Sequence, residues 1–207
     1  MTRVLALGAA AVALAAAVVL LLLAIDVRRY DRAFADDDAA FTVDPARTDL
    51  WRPQQLVPFA AARRLLGVDD ELAYRRAVRL FALGRPRVNF LLATPSLEAY
   101  RSEAAVTLWR LAQREPDVAR RSRELNLVGV LDLIAAGPND PTRWIASLTR
   151  ASASFRRAIA ADDSDAEDAK FNLEVALRLT ATIRANTTTL KGLGGSATQT
   201  TEVGSGY

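Results

Sequence analysis

Five acids crowd residues 161–168, "ADDSDAED": Asp162, Asp163, Asp165, Glu167 and Asp168. Carboxylates at alternating loop positions can wrap a calcium ion. Counting from Asp163, acids fall at the first, third, fifth and twelfth positions of such a loop, the last being Glu174. The sixth position is Asp168, where the sharp turn needs glycine, and a helical pattern is already running there. The acids therefore read as helix-start residues. Ser164 and Glu167 have capping-box spacing, and the rest complement the positive end of the helix dipole. A second acidic run, Asp36-Asp37-Asp38, offers consecutive carboxylates that an extended chain would point in different directions, so it reads as part of a solvated linker.

Two absent residue types restrict the chemistry further. Without cysteine there is no thiol nucleophile, disulfide framework or lipid-acceptor thiol. Without histidine the commonest general base and transition-metal ligand are missing. A carboxylate-dependent enzyme stays open, but no pair of acids sits at convincing spacing on one face. No catalytic, cofactor-binding or metal-ligating residue is assigned.

Basic residues outnumber acidic ones by 27 to 24, and Lys170 and Lys191 are the only lysines. The isoelectric point of 9.7 thus reflects arginine's high pKa rather than a strong positive field, which argues against nucleic-acid binding. Arg120, Arg121 and Arg123 form a basic cluster early in the fourth helical run; it reads as a solvated face or as a contact for an acidic partner or lipid headgroups.

The elements that carry these residues begin with Val4–Ile25, 22 uncharged and almost wholly apolar residues. As a helix they reach about 33 Å, enough for a hydrocarbon core of roughly 30 Å. The Leu20–Leu23 block runs straight into Asp26, Arg28 and Arg29 without a small-residue cleavage signal, so a retained single-pass anchor is expected. Residues 26–53, charged and interrupted by Pro45 and Pro53, read as a juxtamembrane linker in which Trp51 is partly exposed. The excess of arginine after the anchor favours a cytoplasmic body by a small margin.

From 54 to 185 helical runs alternate with stop signals, and no period-two strand is evident. A first run opens at Pro58 and stops at Gly67, and a second runs from Asp69 to Gly84. A third starts at Ser96, with Leu97, Tyr100, Ala104, Leu108 and Leu111 at three- and four-residue spacing and Trp109 among its core residues, and a fourth opens at Pro116. Asp140-Pro141 starts a fifth, carrying Trp144, Leu148, Ala151, Phe155 and Ala158 on one face. A sixth carries Phe171, Val175, Leu179 and Ile183 on one stripe. The expected fold is all-α. Residues 186–207, rich in Thr, Gly and Ser, read as a disordered tail, either solubilising or a short docking peptide.

The pattern Ala-x-x-x-aromatic-x-x-Ala occurs at Ala105/Trp109/Ala112 and again, 46 residues on, at Ala151/Phe155/Ala158. The same offset carries Asn126-Leu127 onto Asn172-Leu173. Small residues let helices approach closely and the aromatic fills the space beside the contact, the logic of tetratricopeptide-type helical hairpins. Residues 72–86 resemble the hairpin only loosely.

On these residues the chain resembles a known class. "FRRAIAADDSDAEDAKFNLEVALRL" (155–179) and "EPDVARRSRELNLVGVLDL" (115–133) are similar to segments of tetratricopeptide-like membrane proteins associated with MoxR-type AAA+ ATPases and von Willebrand factor A proteins, of the Bat or methanol-oxidation accessory type. The likeness covers roughly residues 70–185 and departs from the usual 34-residue period. It implies a non-catalytic adaptor in the cytoplasmic membrane, without cofactors, that helps envelope complexes assemble or mature through such protein partners. It also implies an extracytoplasmic body, as does the polar tail, and on balance that orientation is expected. The alternative is a structural single-pass subunit of a larger membrane complex.

Overall fold

The computed structural model describes residues 2–52, 67–85, 95–135 and 140–195. Among these the chain is all-α, with six helices and no strand: α1 (Thr2–Val43), α2 (Val68–Gly84), α3 (Pro95–Ala112), α4 (Val118–Ala135), α5 (Pro141–Ala161) and α6 (Glu167–Gly195). The run expected from Pro58, the turn between Gly137 and Asn139, and residues 196–207 of the tail lie outside the described residues. The chain divides into two compact units, Met1–Gly84 and Arg85–Tyr207.

The first unit is built on α1. Its apolar half, with Leu7, Leu14 and Leu20 outward-facing, is long and apolar enough to cross a membrane. Helix α1 does not stop where the charges begin. Residues 26–43 continue it, correcting the expected linker over that range. No proline or glycine falls between Asp26 and Asp44, so nothing breaks the backbone hydrogen bonds until Pro45, which cannot extend a helix. There Asp44 accepts a hydrogen bond from the Ala46 N–H at 3.0 Å, and the chain turns back along α1.

A core of Tyr30, Leu50, Trp51, Val68 and Leu72, flanked by Leu23, Phe34, Ala40 and Phe41, joins α1, the turn and α2. Trp51, expected to be partly exposed, is only 3% exposed. Its backbone is left-handed (φ 56°), an unusual and costly conformation for a bulky residue. Gly67, at φ 63° just before α2, adopts the same region without that cost; the helix end it is expected to close lies outside the described residues.

In the second unit α3 to α6 pack as consecutive neighbours, each against the next. Asp140 caps α5 by accepting from the N–H groups of Thr142 and Arg143, with Pro141 in the first turn, as the sequence predicts. Asp117 caps α4 in the same way through the Arg120 N–H at 2.8 Å. The expected capping box of α6 is absent. The Ser164 hydroxyl donates to Asp162, and Glu167 pairs with Lys170. Helix α6 also continues through residues 186–195, where a disordered tail was expected.

Candidate functional site

The repeat-bearing residues converge in the second unit. Ala151, Phe155 and Ala158 are fully buried on the inner face of α5. Phe155 fits there because α4 presents Gly129 to it: a Cβ on that glycine would lie 2.6 Å from Phe155 Cδ1 and 2.9 Å from Cζ. The earlier copy packs less tightly. Ala112 is buried, Ala105 half-buried, and Trp109 half-buried against a cluster of Ala112, Leu125, Ala158, Ala166 and Ala169. The guanidinium of Arg157 covers the Trp109 ring, 5.0 Å from its centroid.

Asn126 and Asn172 meet. Asn172 Nδ2 donates to Asn126 Oδ1 at 3.0 Å, joining α4 to α6 between positions 46 residues apart. Leu127 and Leu173, the residues that follow, are half-buried, and Leu173 packs against the Phe155 cluster. Phe171 departs from expectation: it is 66% exposed. The buried stripe of α6 runs through Ala169, Ala176 and Ile183, continuing buried Ala166 just before the helix, and at about 100° per residue Phe171 falls well away from it. Of the expected Phe171/Val175/Leu179/Ile183 stripe, Val175, Leu179 and Ile183 are buried or half-buried and Phe171 faces outward.

No protein-family model, curated protein or solved structure matches the chain.

The charged groups are arranged in local pairs. Arg120 reaches Glu115 at 3.1 Å and the fully buried Glu124 at 3.5 Å, so of the three clustered arginines it is engaged inside the fold. Arg121 is half-buried and Arg123 exposed. Arg150 on α5 bridges to Asp132 on α4 at 3.0 Å and donates to Ser147. In the acidic loop, the Ser164 hydroxyl and N–H both donate to Asp162, holding its carboxyl below the usual range. The Lys170 ammonium sits between Glu167 and Asp163, which raise its pKa. Among the described residues no three His, Cys, Asp or Glu side chains gather as metal ligands.

A second constellation, invisible as such in the sequence, holds the first unit together. Asp37 accepts from the Trp51 N–H at 2.6 Å, and Asp38 accepts from Trp51 Nε1 at 2.8 Å. Asp38 also takes the Arg75 guanidinium through Nε at 2.9 Å and Nη2 at 2.8 Å, while Arg75 pairs in addition with Glu71. That guanidinium lies 4.4 Å above the Phe34 ring. The run read as solvated acids on an extended chain is helical, and two of its three members point at one target. The turn residue Trp51 was the available signal, since a tryptophan beside a proline-broken turn needs a buried site with a partner for its indole N–H.

Proposed function

We propose that this chain is a single-pass, membrane-anchored, non-catalytic helical-repeat adaptor. In this reading α1 crosses the cytoplasmic membrane and the α3–α6 body is extracytoplasmic. The body binds protein partners in the assembly or maturation of an envelope complex, with a MoxR-type ATPase and von Willebrand factor A membrane proteins as the partner class. The observation that carries the reading is the hydrogen bond between Asn126 and Asn172, positions related by the sequence period. It is what adjoining repeat units would make, and repeat stacks commonly serve as protein-binding scaffolds. The apolar half of α1 supports the anchor.

Co-purification from native membranes in mild detergent tests the adaptor. Recovery of an AAA+ or von Willebrand factor A protein is expected, and its consistent absence removes the partner assignment. Protease accessibility on intact cells tests the side of the membrane. An extracytoplasmic body is cleaved without cell disruption. A structural subunit of a larger complex is favoured by the outward-facing Phe171, and a soluble, folded, monomeric helical body would argue against it.

A further inference from the structure

The first polar turns of α1 carry three arginines, Arg28, Arg29 and Arg32, all exposed. Among the described residues none of the three forms an ion pair or hydrogen bond. At about 100° per residue they share one side of the helix, within an arc of about 100°. The opposite side, through Tyr30, Phe34, Asp37 and Asp38, is fixed against Trp51 and Arg75. The arginines therefore cannot turn inward to find partners, and the helix that bears them cannot readily roll.

Their height matters as much as their direction. Ile25 ends the apolar run. At 1.5 Å per residue Arg28 stands about 4.5 Å, Arg29 about 6 Å and Arg32 about 10 Å beyond it. A headgroup layer extends about 5–8 Å beyond each face of the hydrocarbon core, so Arg28 and Arg29 lie within it and Arg32, with its long side chain, at its edge. Of the nearby acids, Asp26 is buried, Asp31 is exposed about 60° from Arg28 around the helix, and Asp36 lies further out. The side facing the headgroups keeps a positive excess.

We propose that Arg28, Arg29 and Arg32 form a binding site for the phosphates of anionic lipids in the leaflet from which α1 emerges. Guanidinium groups bind phosphate through paired N–H donors, and each basic residue near an anionic surface favours association several-fold. The site fixes the depth of α1, and through the Trp51 and Arg75 contacts the attitude of α2 as well. This proposal rests on the anchor reading above.

The test is electron spin resonance of spin-labelled lipids around the full chain in phosphatidylcholine vesicles, comparing labelled phosphatidylglycerol with labelled phosphatidylcholine. The expected result is a motionally restricted lipid population with a several-fold preference for phosphatidylglycerol. That preference falls to unity in R28Q/R29Q/R32Q and weakens with salt. The charge-preserving R28K/R29K/R32K variant should keep most of it, and Arg143→Gln, on α5, should leave it unchanged. Equal preference in the wild type and the triple Gln variant overturns the proposal, as does displacement by inorganic phosphate beyond that of chloride at equal ionic strength. A restricted population without selectivity sinks the lipid site but leaves the anchor standing. No restricted population at all removes both.

Discussion

Asn126 and Asn172, separated by 46 positions in the chain, are joined side chain to side chain at 3.0 Å across α4 and α6. Each is half-buried, so neither amide can exchange its partner freely for water. Replacing either with alanine should lower stability by about 1 kcal/mol. A double-mutant cycle should return a coupling of about 0.5–1.5 kcal/mol, measured by chemical denaturation in detergent. Strict additivity of the two substitutions would mean that the bond contributes nothing.

Gly129 and Phe155 form a lock of the opposite kind, in which a missing side chain admits a large one. Gly129→Ala gains up to about 1 kcal/mol of helix propensity, but the added methyl enters the Phe155 ring at a net cost of about 1–2 kcal/mol. Adding Phe155→Leu should recover part of that loss. Thermal melts of the two single variants and the pair decide it; an unchanged or higher melting temperature for Gly129→Ala would refute the close fit.

Asp38 gathers Trp51 and Arg75 onto α1. Asp38→Ala should release the 44–52 turn, because a charge-assisted bond contributes about 1.5–3 kcal/mol and the left-handed Trp51 backbone is held against its own preference. Tryptic cleavage after Arg47 should accelerate in this variant. The neighbouring Asp36 is exposed, and Asp36→Asn should leave the cleavage rate unchanged.

The loop before α6 should respond to acid. Donation from the Ser164 hydroxyl lowers the pKa of Asp162 in the folded state. Its contribution to stability is therefore complete above the ordinary aspartate value of about 3.9 and is lost as pH falls through the lower, folded value. Lys170 has the opposite sign. Its pKa is raised by Glu167 and Asp163, so its contribution holds at neutral pH and is lost only as alkaline pH passes the folded value. Melting temperature followed from neutral pH down to about pH 3 should fall less steeply in Asp162→Asn than in the wild type. Parallel acid limbs would count against the assignment.

Much of the second unit was legible beforehand. Asp140-Pro141 announces a helix start by local chemistry, and Ala151, Phe155 and Ala158 announce a buried face by their spacing. Both signals act within a turn or two, where sequence distance and spatial distance agree. Phe171 faces outward although its spacing suits a buried stripe, because α6 carries apolar residues on more than one side. Periodicity alone cannot say which side a neighbouring helix will cover.

The all-α character, the apolar length of α1 and the 46-residue offset can be read from residue order alone, because propensity, hydropathy and register are properties of that order. That the charged run after Ile25 stays helical, and that Asp37 and Asp38 serve Trp51 and Arg75, depends on contacts made in three dimensions. The partners are up to 37 residues apart, and their pairing depends on a turn whose direction no local rule prescribes. The same holds for Gly129, an unremarked glycine until Phe155 is seen to occupy the space its missing side chain leaves.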